Sequence, residues 1–202
     1  MRITRYYLNV QEKQCPDAGG SDTDHVDQVR RQWARVWPDL DTEPIGIIAR
    51  LGRAQAYIDP ALDAVFAEHG LTRGAWDVLA ALRRVGEPYR LTPTELYRAL
   101  MRTSGAITHT LHRLEYAGLV ERLLNPEDGR SLYVALTPHG VELTNAVAPL
   151  HVDNERRLLA GLTPDEQHTL AHLLRKLLLG WERENPVPTA RQAGRAPRRH
   201  RH

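Results

Sequence analysis

Residues 91–140 constrain the fold of this 202-residue chain more than any other stretch. The motif TPTE at residues 92–95 predicts the start of a short helix, because Thr can cap it, Pro fits its first position and Glu can bond back to the cap. A turn and a second helix over about 103–117 follow. Two strand-like runs then flank a turn-rich tip and precede another helix start: 119–123, 131–136 and Thr137-Pro138. This order predicts a winged helix-turn-helix lobe.

The rest of the chain is predicted to be helical wherever it is ordered. Ser21 and Asp22 are expected to cap a first helix, and Pro60 is expected to kink or interrupt the second. Thr72 and Thr163 begin further helices with the same capping chemistry. The predicted fold class is therefore mainly α with a small β-hairpin wing (α+β), in which a winged helix-turn-helix lobe joins a helical dimerisation region.

Composition divides the chain into three parts. Residues 1–20 show no sustained helical period and are predicted to be a flexible lead-in. Residues 21–184 are predicted to form one winged helix-turn-helix and dimerisation domain, with the DNA-binding lobe at about 71–138. Residues 185–202 are rich in Pro, Gly and Arg, which predicts a disordered basic tail.

The last predicted helix, about 164–183, has a wide apolar stripe. Its members recur at helical spacing: Leu170, Leu173, Leu174, Leu177, Leu178 and Trp181. An apolar stripe of this width on a terminal helix usually means a partner subunit. Burial against the same chain is the alternative.

The distribution of charge is more informative than the net charge of +2. Five arginines and no acidic residue follow residue 184, so the body of the chain is slightly acidic. Whole-chain basicity is therefore a poor guide to nucleic-acid binding. The useful charge is local, because the segment from Arg98 to Arg113 contains three arginines, two histidines and no acid.

The second helix of the lobe is predicted to have one apolar and one hydrogen-bonding face. Ile107, Leu111 and Leu114 fall together at a period of 3.6 residues and are expected to be buried. The opposite side and the helix start are small or basic, which suits close approach to base edges and phosphates. The predicted DNA-binding residues here are Thr103, Ser104, Gly105, Thr108, His109, His112 and Arg113. An amphipathic helix with a solvated polar face is the alternative.

The tip of the hairpin supplies a further candidate. Arg130 lies just past the turn and can reach into a minor groove, where narrow A·T-rich DNA attracts arginine. Asp128 lies two residues earlier and can orient that guanidinium as a bidentate partner. A surface salt bridge without a DNA role is the alternative.

The run from residue 104 to 140 resembles the MarR family of bacterial transcription regulators. The family pattern has a recognition helix ending in R-L-E-x-x-G-L-V/I-x-R, a wing with D-x-R, and the sequence L-T-x-x-G. The matching segments are Arg113-Leu114-Glu115, Gly118-Leu119-Val120, Asp128-Gly129-Arg130 and Leu136-Thr137-Pro138-His139-Gly140. The resemblance implies a homodimer with two winged lobes on a palindromic operator in double-stranded DNA. It also implies a small-molecule pocket between the dimer helices and each lobe.

The added N-terminal helix resembles that of the urate-responsive subset of the family. In that subset a Trp, an Asp and two Arg bind the ligand, and Trp33, Asp77 and Arg122 match three of these positions. The fourth position is Thr110 here. The resemblance implies a ligand-binding role for Asp77, whose alternative is to face water on the polar side of its helix. The expected function is a ligand-responsive repressor released by a small aromatic or anionic metabolite.

Other functions have weaker support in the sequence. No Gly-rich phosphate loop, nucleophile elbow or carboxylate pair occurs in a recognisable context, so neither an enzyme nor a cofactor is expected. The pairs His109/His112 and His168/His172 each share a helix face but lack a further metal ligand. Metal sensing, oxidant sensing through the single Cys15, and a helical interaction module without DNA binding remain alternatives. The absence of a signal-like or membrane-spanning apolar run leads us to expect a cytoplasmic protein.

Overall fold

The computed structural model describes residues 23–100, 104–125 and 132–184. These residues form seven α-helices and three short strands: α1 (His25–Val36), α2 (Glu43–Ala67), α3 (Arg73–Arg84), β1 (Arg90–Leu91), α4 (Pro93–Leu100), α5 (Ser104–Tyr116), β2 (Val120–Leu124), β3 (Leu132–Leu136), α6 (Pro138–Leu158) and α7 (Pro164–Glu184). The mainly helical fold with a small antiparallel sheet confirms the predicted class. The chain divides into two compact units, 1–55 and 56–202, and the division falls within α2. The predicted lead-in and basic tail lie outside the described residues.

Four helices begin at the threonines that the sequence singles out. Thr72 Oγ1 accepts a hydrogen bond from the backbone N–H of Ala75 at 3.2 Å, and Thr137 caps α6 in the same way. Thr92 and Thr163 head reciprocal capping boxes, in which Glu95 and Glu166 accept from the backbone N–H of the cap. These bonds lower the pKa of both carboxyl groups, chiefly through the backbone N–H donated by each threonine.

The predicted cap of α1 at Ser21 and Asp22 is wrong. Asp24 is the cap, because its carboxylate accepts from the N–H of Asp27 at 3.0 Å while the Asp27 carboxylate accepts from the N–H of Asp24 at 3.0 Å. Two aspartates three residues apart satisfy two otherwise unpaired helix-start donors at once. The sequence offers several short polar residues in a row here, and only the one with a reciprocal partner at this spacing becomes the cap.

The expected interruption of α2 at Pro60 is also wrong, since the helix continues from Glu43 to Ala67. Proline removes one backbone hydrogen bond from a helix interior. The turns that follow are held by tertiary contacts: Phe66 is fully buried, Leu62 packs against the same core, and the Ala61 carbonyl accepts from Asn154 at 3.0 Å. Packing of this kind contributes more to helix stability than local propensity does.

The sheet contains one strand that the sequence does not reveal. Strands β2 and β3 form the predicted hairpin, with Val120 opposite Leu136 and Leu124 opposite Leu132. Residues Arg90–Leu91 add β1 to the other edge of β3, which gives the order β1-β3-β2. A two-residue strand is too short to show an alternating pattern. It fixes the segment between α3 and α4 to the base of the hairpin.

Two arginines link α1 to α2 within the first unit. Arg50 forms a bidentate pair with Asp24 at 2.8 and 3.0 Å and also reaches Asp27 at 2.7 Å. Arg30 bonds Thr42 at 3.4 Å and pairs with Glu43. Hydrogen bonds from Arg50 lower the pKa of Asp24 to about 2 and lower that of Asp27 as well.

Candidate nucleic-acid interface and ligand pocket

Helix α5 has the two-sided character that its sequence predicts. Its buried face consists of Ile107, Leu111 and Leu114, which belong to the same core as Leu96 and Leu79. Its outward face is exposed and carries Thr108, His109, His112 and Arg113. The helix packs on α3 and β2 through the apolar face, so the hydroxyl, imidazole and guanidinium groups are presented together.

Two contacts fix α5 relative to its neighbours. At its middle, the hydroxyls of Thr108 and Tyr97 are 3.5 Å apart, which connects α5 to α4. At its end, Glu115 Oε2 lies 3.1 Å from Arg122 Nε on β2 and 4.0 Å from His112 Nδ1. Glu115 therefore joins α5 to the hairpin.

Two glycines, one in the turn after α5 and one in the first turn of α6, allow these two segments to pack closely. Gly118 has φ of 67°, a left-handed conformation that ends the helix, and the Leu119 N–H bonds back to the Leu114 carbonyl at 2.9 Å. Thr137 at the start of α6 donates its hydroxyl to the Gly118 carbonyl at 2.7 Å. A Cβ on Gly140 would lie 2.1 Å from the Leu119 carbonyl oxygen, so α6 can approach this turn only with glycine there. The end of α5 is thus fixed to the start of α6.

Several predicted DNA-binding residues lie outside the described residues or have undescribed side chains. Thr103, Asp128 and Arg130 belong to the first group. Ser104 and Gly105 open α5, but the structure describes only their backbone. The roles assigned to these five residues stay predictions.

A cavity of about 430 Å³ opens in the second unit between α3, α4 and α6. It is lined by Trp76, Asp77, Ala80, Arg84, Ala99, Leu100 and His151. The Phe66 and Trp76 rings stack at 5.3 Å with an interplanar angle of 20°, and the His151 ring contacts both. Asp77, one of the predicted ligand-binding residues, is half-buried in this wall.

The other predicted ligand-binding residues occupy different places. Arg122 pairs with Glu115 on the hairpin side of α5, and the described lining of the cavity does not include it. Trp33 lies on α1 in the first unit, where its side chain is 42% exposed. Thr110 lines a smaller cavity of about 110 Å³ together with Thr72 and Arg113.

Arg84 and His151 also line the cavity, although the sequence does not single them out. One signal was available for Arg84, because Asp77, Ala80 and Arg84 follow the i, i+3, i+7 spacing that places residues on one helix face. His151 lies 74 positions from Asp77 and arrives by tertiary folding of α6 onto α3, for which the sequence has no local sign.

The described residues give no support to the metal alternative. Neither His109/His112 nor His168/His172 belongs to a group of three or more His, Cys, Asp or Glu in the described part of the chain. Cys15 lies outside the described residues. Within that part, every helix is too short or too polar to span a bilayer.

Together, a helix-turn-helix, a two-stranded wing and an exposed basic helix face define a winged-helix DNA-binding protein. The family model described as MarR family matches residues 69–131. The transcriptional regulator PecS of Dickeya dadantii is 40% identical over 149 residues, which cover 74% of this chain and 90% of PecS. The chain belongs to the MarR family of transcriptional regulators, which bind DNA.

Two solved structures extend the comparison. A MarR variant from Escherichia coli complexed with operator DNA superposes with a TM-score of 0.61 at 33% identity and covers 69% of this chain and 99% of that one. The DNA binding of Bordetella bronchiseptica BpsR is regulated by 6-hydroxynicotinic acid. Its structure superposes with a TM-score of 0.58 at 26% identity, and the match covers 67% of this chain and 98% of BpsR.

Proposed function

We propose that this chain is a homodimeric, ligand-responsive repressor that binds a palindromic operator in double-stranded DNA. The observation that carries the proposal is the sidedness of α5, which buries Ile107, Leu111 and Leu114 and exposes Thr108, His109, His112 and Arg113. A helix in a major groove needs small residues and hydrogen-bond donors on the side away from its core. This helix has them, and the solved MarR relative was complexed with operator DNA.

The residues divide by role. Thr108, His109 and Arg113 face outward along α5 and are assigned to base edges and phosphates, together with His112 near its end. Thr103 and Ser104 are assigned to a phosphate at the helix start, where free backbone N–H groups favour an anion. Gly105 is assigned to the outward face, where a small residue permits close approach to the DNA. Arg130, oriented by Asp128, is assigned to the minor groove.

Homodimer formation is supported by the exposed apolar face of α7. This helix has no buried residue, and Leu173, Leu178 and Trp181 are each about half exposed. An apolar helix face of this kind usually marks an interface. Two copies related by a two-fold axis would present two α5 helices to half-sites about one turn of DNA apart. Sedimentation equilibrium tests this, and a monomer at micromolar concentration would contradict it.

A response to a ligand is supported by the cavity and by BpsR, the relative whose DNA binding is regulated by 6-hydroxynicotinic acid. The proposed effector is a small aromatic or anionic metabolite, with Asp77 in the cavity wall and Trp33 and Arg122 assigned to its recognition. A ligand that binds the DNA-free arrangement more tightly than the DNA-bound one shifts the population towards release. We propose that the chain is related to the urate-responsive subset of the family. Thr110 stands where that subset has one of its two ligand-binding arginines.

The proposal is tested by selecting bound duplexes from a random-sequence pool with the full chain. The expected product is an inverted repeat, and Arg130→Ala is expected to weaken binding to it by ~1–3 kcal/mol at fixed salt. Glu121→Ala, an exposed change on β2, serves as the control variant. Recovery of no preferred sequence would favour the alternative of a helical interaction module, whereas a preferred site that lacks two-fold symmetry would contradict the dimeric operator.

A further inference from the structure

Strand β3 of the wing pairs on one side with β2 and on the other side with the short strand β1. Strand β1 has only two residues, Arg90–Leu91, and it follows directly after a tight turn at residues 86–89. We propose that Arg83, in the last turn of α3, is a positioning residue that fixes this turn and, through β1, holds the wing where its tip contacts DNA. The inference rests on the proposed function, which assigns the wing a contact with the minor groove.

Arg83 contacts both α6 and the turn. Its Nε donates a hydrogen bond to Oδ1 of Asn145 on α6 at 2.9 Å. Its guanidinium carbon lies 4.8 Å from the centre of the Tyr89 ring. Because a guanidinium is planar, it can lie over an aromatic face and still donate hydrogen bonds from its edge. One side chain therefore connects α3, α6 and the turn that leads into β1.

Tyr89 has a backbone conformation that needs support from its surroundings. Its φ is 53°, in the left-handed region, which is unfavourable for a bulky side chain and persists where neighbouring contacts hold it. The Tyr89 N–H donates to the Gly86 carbonyl at 2.7 Å, and the Tyr89 hydroxyl donates to Oε1 of Glu87 at 3.2 Å. The face of the ring contacts Arg83. Of these three contacts, the one with Arg83 is made from outside the turn.

The conformation of Tyr89 determines how the base of β3 is held. The Tyr89 carbonyl accepts a hydrogen bond from the N–H of Leu136, the last residue of β3, at 3.1 Å. The next residue, Arg90, pairs with β3 and places its guanidinium carbon 4.4 Å from the centre of the Tyr133 ring on that strand. A change of Tyr89 to an ordinary backbone conformation would redirect both its carbonyl and the strand that follows it.

A small tilt at the base of β3 has a larger effect at the tip of the wing. The strand runs from Leu136 back to Leu132, which precedes it by four residues and lies next to the tip, and four residues of strand span about 13 Å. A tilt of about 10° at the base therefore displaces the start of the tip by about 2 Å, more than a hydrogen bond to DNA tolerates. Helix α5 is held separately by its buried face, so loss of Arg83 is expected to weaken the contacts of the wing more than those of α5.

Amide hydrogen exchange of the full chain without DNA tests whether Arg83 fixes the turn. In Arg83→Gln and in Tyr89→Leu, the Leu136 N–H is expected to exchange at least about tenfold faster, because its acceptor is no longer held in place. The Leu119 N–H, which donates to Leu114 at the end of α5, is the internal reference and is expected to keep its rate. Tyr89→Phe keeps the ring and is expected to keep the protection of Leu136. An unchanged Leu136 rate in Arg83→Gln, or equal acceleration of both amides, overturns the proposal.

A double-mutant cycle with Arg130 tests the consequence for DNA binding. In the unaltered chain, Arg130→Ala is expected to weaken binding to the selected duplex by about 5-fold to 150-fold. In the Arg83→Gln background the same change is expected to have an effect at least about threefold smaller, whereas the effect of Arg113→Ala on α5 is expected to be equal in both backgrounds. Arg53→Gln removes an exposed arginine from α2 and is the control background, in which the effect of Arg130→Ala is expected to be unaltered.

The two experiments separate a failure of this inference from a failure of the proposed function. Equal effects of Arg130→Ala in the unaltered and Arg83→Gln backgrounds overturn the positioning role of Arg83. A smaller effect of Arg113→Ala in the Arg83→Gln background overturns it as well, because the whole lobe would then be disturbed. No effect of Arg130→Ala in the unaltered chain contradicts the minor-groove contact of the proposed function. The Leu136 exchange rate is measured without DNA and shows independently whether Arg83 holds the turn.

Discussion

Arg122 Nε lies 3.1 Å from Oε2 of Glu115, and this ion pair joins β2 to the end of α5. The two residues flank the left-handed turn at Gly118, so the pair bridges the corner between α5 and the hairpin. His112 Nδ1 lies 4.0 Å from the same oxygen. The paired residues are the Glu and the last Arg of the R-L-E-x-x-G-L-V-x-R pattern, so two residues of that pattern form an ion pair across the turn between α5 and β2.

The Glu115–Arg122 pair is expected to contribute little to stability. Both side chains are about one-third exposed, and ion pairs of that exposure contribute about 0–1 kcal/mol. A double-mutant cycle of Glu115→Gln and Arg122→Gln, measured by urea unfolding, is expected to give a coupling within that range. A coupling above about 2 kcal/mol would show that the pair is shielded from water in solution.

Gly140→Ala is expected to destabilise the fold by about 2 kcal/mol or more, because the new methyl would lie 2.1 Å from the Leu119 carbonyl oxygen. The backbone on both sides is fixed, by the α6 cap at Thr137 and by the turn at Gly118, so neither can move without losing hydrogen bonds. Gly161→Ala is the matched control, since a Cβ there meets nothing within 4 Å. Equal unfolding midpoints for the two variants would contradict the close approach.

The Arg50 cluster in the first unit predicts a pH dependence at the acid end. The folded-state pKa of Asp24 is lowered to about 2 and that of Asp27 is also lowered, mainly by hydrogen bonds from Arg50. The associated stability is therefore present above the unfolded pKa, near 3.8, and is lost as the pH falls towards 2. Arg50→Gln is expected to lower the melting temperature near neutral pH, by an amount that shrinks between about pH 4 and 2. A difference that does not change over that window would argue against the cluster.

The arginine-rich segment 185–202 is expected to add affinity for DNA that does not depend on sequence. Each phosphate contact contributes about 0.9 to the slope of log K against log salt concentration. Replacing the five arginines of this segment by serine keeps the chain length and is expected to flatten that slope while the preference for the selected site remains. An unchanged slope would show that residues 185–202 do not contact the DNA phosphates.

The local chemistry of the sequence predicts the helix starts well and the interiors less well. Thr72, Thr92, Thr137 and Thr163 cap helices as expected, because a cap depends on residues three positions apart. Pro60 does not interrupt α2, because the cost of proline is offset by contacts with residues far along the chain. The short strand β1 cannot be predicted from local sequence for a related reason, since it exists only through its pairing with β3.

In the candidate sites, too, local sequence predicts some features and tertiary folding determines the others. The exposed face of α5 follows from helical periodicity, so Thr108, His109, His112 and Arg113 could be placed from the sequence. The cavity between α3, α4 and α6 requires three helices to meet, and His151 and Ala99 line it by tertiary folding alone. Arg122 was assigned from resemblance, and its contact with Glu115 becomes visible only when β2 folds back beside α5.

The outward face of α5 is tested most directly by the affinity of Arg113→Ala for the selected duplex, measured by fluorescence anisotropy at fixed salt. Arg113 is exposed on that face, and removing its guanidinium is expected to weaken binding by ~1–3 kcal/mol. Arg53→Ala, which removes an equal charge from α2, is the control and is expected to change affinity much less. Equal affinities for Arg113→Ala and the unaltered chain would contradict the proposed DNA-binding role of α5, because its outward face would then not contact DNA.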